Sequence, residues 1–302
     1  MDFELDSDQQ AVVDAVGTIL DKQAGNDRAP ALGPDGHDDA LVDVLDENGF
    51  LDLWHDADLG PLGAALVVEA ASRGNARANL GARMLVAPAL LGPACPRRIA
   101  LTRRDSPGPV RFGQYADVLL VLDGDDAYAA TIGAAHPVPS PYGFPYARVT
   151  TTDERALGAG SGALLANWWR VAIAAEIGGA LDGAISHTVG YLSQRVQFKK
   201  PLGSLQALQH RLAEAYVWTE GARWLARRAA HGGAAASGAA EAAAYATQAA
   251  QVVGADLHQL SGAIGFTTEF DLHLWTTRLH GLRVELGGTT AHQLATTTAN
   301  WG

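Results

Sequence analysis

Apolar residues at Val12, Val16, Ile19 and Leu20 recur at helical spacing, and Ser7 followed three residues later by Gln10 predicts a capping box at the start of that helix. After a Gly/Pro-rich break from Gly25 to Gly36, Leu41, Val44 and Leu45 repeat the pattern up to an Asn48-Gly49 stop. The Ala- and Leu-rich residues 61–90 predict one or two more helices. From about Pro96 to Thr152 the texture changes. RIALTR, ADVLLVLDG, DAYAATIG and YARVT are short, β-branched and bounded by Gly, Pro and Asp, which predicts strands, while HPVPSPYGFPY predicts an irregular connection. Helical periodicity returns near Gly158. It predicts a long helix from Asn167 to Gln194, a second from Pro201 to about His231, a third from Glu241 to Leu260, and one or two across 269–299. The order predicts a mostly α chain in three lobes: an N-terminal helical domain over 1–95, a small β domain over 96–157 and a C-terminal helical bundle over 158–302.

Composition narrows the class. The chain has 302 residues, 48% of them hydrophobic, which suits an ordinary globular protein with a large core. Its net charge of −11 argues against a broad nucleic-acid footprint, which needs clustered Lys and Arg. The single cysteine, Cys95, rules out an internal disulfide and fits a reducing cytoplasm. MDFELDSDQQ lacks a signal-peptide layout. The most apolar run, ALLANWWRVAIAAEIGGAL, carries Arg170 and Glu176 and predicts a buried helix instead of a membrane span. His231, His258, His273, His280 and His292 show no metal-ligand spacing, so no metal is expected. Trp168, Trp169, Trp218, Trp224 and Trp275 read as core or interface fillers.

Two segments concentrate candidate chemistry. In YLSQRVQFKKP, Arg195, Lys199 and Lys200 lie within six residues of a chain with 22 Lys plus Arg against 33 Asp plus Glu. Arg195 offers a planar fork for phosphate oxygens, Gln197 a donor and acceptor, and Phe198 an apolar face. Gln206 and His210 follow, four apart on one helix face. In HQLSGAIGFTTEFDLHLWTTR, Gln259 precedes Gly262 and Gly265, whose amides suit close approach to a phosphate. Each segment alone also fits a blander reading, a solvated basic helix end for the first and a glycine helix stop for the second.

Together, in this order and separation, the segments resemble the acyl-CoA dehydrogenase family, with its Y-x-x-x-R-x-Q-F-G-x-P and Q-x-x-G-G-x-G-F-T-x-E patterns. FELDSDQQAVVDAV is similar to that family's first helix. The resemblance implies an N-terminal helical domain, a β domain and a four-helix bundle. It also implies FAD as cofactor, with Arg195, Gln197 and Phe198 on its ADP half. Gln259, Gly262, the Ala263 backbone and Gln206 would lie at the adenosine pyrophosphate across a dimer.

Four departures from the family pattern stand out. Lys199 replaces a usual glycine, and Ala263 replaces the second glycine of the turn. The β domain is reduced, without the T-E-P-x-x-G-S-D stretch that lies against the flavin ring. The two usual positions of the catalytic glutamate hold Trp169 and Leu286, with Glu285 beside the second as the nearest candidate base; the plainer reading of Glu285 is a surface charge paired with an arginine. The pattern resembles the base-lacking subunit of heteromeric actinobacterial enzymes, some linked to steroid side-chain breakdown. An acyl-CoA thioester and a second acyl-CoA dehydrogenase-like subunit, or a second copy of the chain, are the implied partners. A flavin-free structural partner, a repurposed non-redox enzyme such as a cyclase, and a self-sufficient dehydrogenase using Glu285 are the alternatives.

Overall fold

Asp6, one residue ahead of the predicted cap, opens helix α1 (Ser7–Gln23). Its carboxylate accepts from the Asp8 and Gln9 amides, and the Gln9 side chain accepts from the Asp6 amide at 3.2 Å. The shift has an electrostatic reason: a full negative charge complements the positive helix end better than the Ser7 hydroxyl. The computed structural model describes residues 4–33, 36–93 and 95–302. Phe3 of the FELDSDQQAVVDAV similarity, and Pro34 and Asp35 of the Gly/Pro-rich break, lie outside them.

The helices α2 (Arg28–Ala31), α3 (Asp39–Glu47), α4 (Gly60–Arg73) and α5 (Ala87–Leu91) follow. In α3, Leu41, Val42 and Leu45 are buried and Asn48-Gly49 ends the helix, Gly49 in the left-handed region at φ 77°. Strands β1 (Ile99–Arg103), β2 (Val110–Arg111), β3 (Val118–Asp123), β4 (Asp126–Val138) and β5 (Tyr146–Ala156) form one sheet in the order β1-β3-β4-β5-β2. β1 runs parallel to β3 and the other neighbours are antiparallel. Two features depart from the sequence reading. β2 is too short to show a period, and β4 continues through His136-Pro137-Val138, which was expected to be irregular. Pro137 is tolerated because β3 pairs only with Asp126 to Thr131, so the far end of β4 has one neighbour and spares a donor.

The C-terminal helices are α6 (Ser161–Gln194), α7 (Gln206–His231), α8 (Ala236–Ser261), α9 (Leu272–Leu282) and α10 (Gly288–Trp301). α6 packs against α4, α7, α8 and α9. Nearly every residue from Val171 to Ile185 is buried, so the helix is apolar all round and shows no stripe. The N-terminal lobe is tied to the bundle by charge as well as by packing. Glu69 of α4, 5% exposed, accepts from Arg223 and from both Nε and Nη2 of Arg227 on α7. Among the described residues, no helix is long and apolar enough to cross a membrane. The fold is that of a mostly helical chain around a small sheet, as the sequence implied. α7 starts at Gln206, later than expected, because Val196–Gln197 (β6) and Lys200–Pro201 (β7) form a small hairpin first.

Candidate active site

The C-terminal end of α6 carries the basic segment. Arg195 caps the helix, its amide bonded to the Tyr191 carbonyl. The chain then reverses in the β6–β7 hairpin, with Gln197 opposite Lys200. Its two central residues, Phe198 at φ 52° and Lys199 at φ 66°, are both left-handed, as a type I′ turn requires. This gives the Lys199 departure a physical meaning: glycine is cheap at such a φ, and lysine holds it at a cost of about 1 kcal/mol. Phe198 is 79% exposed, and the Arg195 side chain is exposed and forms no ion pair among the described residues. Gln206 and His210, on the first turns of α7, are exposed as well.

The glycine segment ends α8. Gly262 has φ 68° and ψ −150°, a region open to glycine alone, and a β-carbon there would meet nothing within 4 Å. Ala263 is exposed and has no left-handed backbone, so its methyl group brings no backbone strain. His258 Nδ1 donates to the Gly265 carbonyl at 2.7 Å, and its ring stacks on exposed Phe266 at 5.0 Å. Gln259 is exposed one residue further on. Tyr191 and His187 on α6 pack on Phe270 at 5.0 and 4.5 Å, which fixes this segment to the end of α6 that bears Arg195. The donor chemistry suits a diphosphate: a guanidinium with no ion pair among the described residues, the amide side chains of Gln197, Gln206 and Gln259, and an open glycine backbone.

Near the other end of α6 lies a cavity of about 410 Å³, walled by β1, β2, the start of β5, Trp169 and the turn before α10. Trp169 and Glu285 meet there. The indole Nε1 donates to Glu285 Oε2 at 2.6 Å, and Arg111 Nε contacts Glu285 Oε1 at 2.9 Å. Arg111 also donates Nη1 to Glu176 Oε2 at 2.7 Å, so one guanidinium bridges two carboxylates. The Glu285 side chain is only 12% exposed, which corrects the surface-charge reading while keeping the arginine partner. Burial raises its pKa, Glu176 adds to this, and Arg111 and the Trp169 bond oppose it. Burial also pushes the Tyr146 phenol up, helped by Glu285. Arg111 stays charged: burial disfavours the cation, and Glu176 with Glu285 more than offsets it.

Leu286 explains the register of this turn. It sits at φ 52°, ψ 27°, between α9 and α10, so it and Glu285 are not successive positions of one helix. Leu286 is 8% exposed. Both Glu285 and Leu286 line the cavity. Arg111 and Tyr146 were absent from the sequence reading. They face each other across the β2–β5 pairing, and a two-residue strand leaves no periodic signal.

Four similarities bear on this architecture. The family described as "Acyl-CoA dehydrogenase, C-terminal domain" matches residues 158–300. The acyl-CoA dehydrogenase IpdE2 of Mycobacterium tuberculosis is 31% identical over 293 residues, covering 91% of each chain. Among solved structures, a chain of the ChsE4-ChsE5 complex from Mycobacterium tuberculosis superposes with a TM-score of 0.84 at 20% identity over 100% of both chains. A chain of the Tcur3481-Tcur3483 steroid ACAD does so with a TM-score of 0.79 at 22% identity over 97% of both. At these identities the solved structures speak for the fold.

Proposed function

We propose, from the premise that this chain belongs to the acyl-CoA dehydrogenase family of oxidoreductases, that it is the subunit of a heteromer that grips the ADP half of FAD while a partner supplies the catalytic carboxylate. FAD, when bound, would supply the hydride acceptor for dehydrogenation of an acyl thioester between its α- and β-carbons. Arg195, Gln197 and Phe198 on the hairpin, with Gln206, Gln259, Gly262 and the Ala263 backbone, are the residues of this chain that would hold the nucleotide. A steroid side chain is the acyl class in this reading, supported by the fold shared with the Tcur3481-Tcur3483 steroid ACAD.

The observation that carries the reading is the state of Glu285. Neither family position for the base is a carboxylate, since Trp169 and Leu286 occupy them. The carboxylate beside them, Glu285, has both oxygens engaged, by Arg111 and by Trp169. A general base needs a tuned pKa and freedom to reach the α-carbon, and a carboxylate clamped between a guanidinium and an indole N–H is a poor one. A second reading, a self-sufficient enzyme using Glu285, draws on its place in the cavity wall and on the burial that raises its pKa.

Visible spectra separate them. The chain purified alone and with a partner of the same family is expected to show flavin absorbance in the complex only. A yellow homo-oligomer bleached by an acyl-CoA, with bleaching lost in Glu285→Gln, establishes the second reading. A colourless complex overturns the flavin reading and leaves a structural or repurposed role on this fold.

A further inference from the structure

Helix α10 has two faces of different kinds. Across residues 286–302 there is no Asp, Glu, Lys or Arg, although 18% of the chain is charged. One face packs on α8, and His292 is fully buried. At about 100° per residue, Thr290, Leu294, Thr297 and Trp301 fall within about 60° of one another on the side opposite His292. All four are exposed, Leu294 at 64% and Trp301 at 80%. The Thr297 hydroxyl donates to the Gln293 carbonyl at 3.1 Å and asks for no partner outside the helix. A surface helix keeps charged and polar groups on its outer face, so an outward stripe with a leucine, a tryptophan and no charge reads as a contact surface.

We infer that this stripe seats a second copy of the chain, with α10 packed antiparallel on α10 about a two-fold axis. The spacing is self-complementary. A two-fold midway between Ala295 and Thr296 sets Trp301 against Thr290 of the second copy, and Leu294 against Thr297 of the second copy. Each large side chain meets a small one, and symmetry repeats both contacts. Charge argues for the same occupant. Two chains of net charge −11 repel each other, and the repulsion is least where neither presents a charge. Four residues a side make a small seam beside the roughly 800 Å² per partner of a standard interface, so a dissociation constant of about 10 μM is expected. The stripe also reaches the candidate site. Thr290 lines a cavity of about 580 Å³ that shares Tyr142, Val284 and Gly287 with the 410 Å³ one, and Trp301 of the second copy would lie at its rim. The contact stands whichever chain supplies the catalytic base.

Sedimentation velocity of the full-length chain alone, from about 1 to about 100 μM, tests this. The unmodified chain is expected to pass from monomer to dimer across that range. Trp301→Glu is expected to raise the dissociation constant at least about a hundredfold, because symmetry removes the aromatic contact twice. Trp301 is exposed, so the melting temperature of the monomer should stay where it was. The register has its own test. Thr290→Arg added to Trp301→Glu places opposite charges across the two-fold and is expected to restore dimerisation to within about tenfold. A monomer at every concentration overturns the inference; if Trp301→Glu then abolishes co-purification with an unlike family member, the stripe belongs to that partner. A dimer indifferent to Trp301→Glu puts the contact elsewhere and overturns it too. A Trp301→Glu monomer that Thr290→Arg fails to rescue overturns the antiparallel register.

Discussion

A β-carbon on Gly81 would stand 2.2 Å from Glu176 Oε1 and 3.2 Å from the Ala172 β-carbon, so the backbone before α5 and the middle of α6 meet with no room for a methyl group. Glu176 in turn holds Arg111, and Arg111 holds Glu285. Gly81→Ala is therefore expected to cost about 1–3 kcal/mol through overpacking against a committed carboxylate. Urea denaturation should show a lower midpoint at an unchanged slope.

Arg111→Met removes a cation that contacts both Glu176 and Glu285. Breaking a buried pair from one side costs about 3–5 kcal/mol. The loss is expected to be pH-dependent, because without Arg111 burial raises the Glu285 pKa further. A carboxyl with a raised folded pKa binds its proton more readily when folded. Its contribution is complete below the unfolded value and is lost as pH rises through the folded one. Denaturation at several pH values should find the variant's deficit smallest in mild acid and largest at neutral pH.

His292, fully buried on α10, behaves in the opposite sense. Burial and then the Arg170 charge push its pKa down to about 4. The unfolded chain takes up the proton first, so stability is lost as pH falls from the ordinary histidine range through about 4. The full swing is roughly 3 kcal/mol. His292→Leu should flatten that part of the pH–stability curve, measured by chemical denaturation between neutral pH and the acid limb.

Arg195→Ala is expected to weaken flavin binding about ten- to a hundredfold, the worth of a charge-assisted bond to phosphate. The ratio of flavin to protein absorbance after gel filtration of the complex measures it. Arg195 is exposed and makes no ion pair among the described residues, so thermal stability of the unloaded chain should not move. Unchanged occupancy would remove the hairpin from the cofactor site.

The fold was legible where burial imposes a period. Val12, Val16 and Leu20 on α1 and Leu41 and Leu45 on α3 are core positions, as their spacing implied. It was less legible where one residue decides. Asp6 took the cap from Ser7, and the hairpin at Phe198-Lys199 delayed the start of α7. At the cavity, Trp169 and Glu285 stand 116 residues apart in the sequence, and only the fold joins them through a hydrogen bond. Arg111 carried no signal, since a lone cation in a two-residue strand looks like surface until its partners are known.

The length of α6 sets a limit on what one chain does alone. The helix has 34 residues, about 51 Å at the usual rise, with Trp169 in its early turns and Arg195 at its far cap, roughly 40 Å apart. No single dinucleotide bridges that distance. In the proposed function, a nucleotide held at the hairpin would point its ring toward another chain, with α6 as the spacer between the two. In that reading the helix length is what sets the distance between the two functions, about 5.4 Å for each turn.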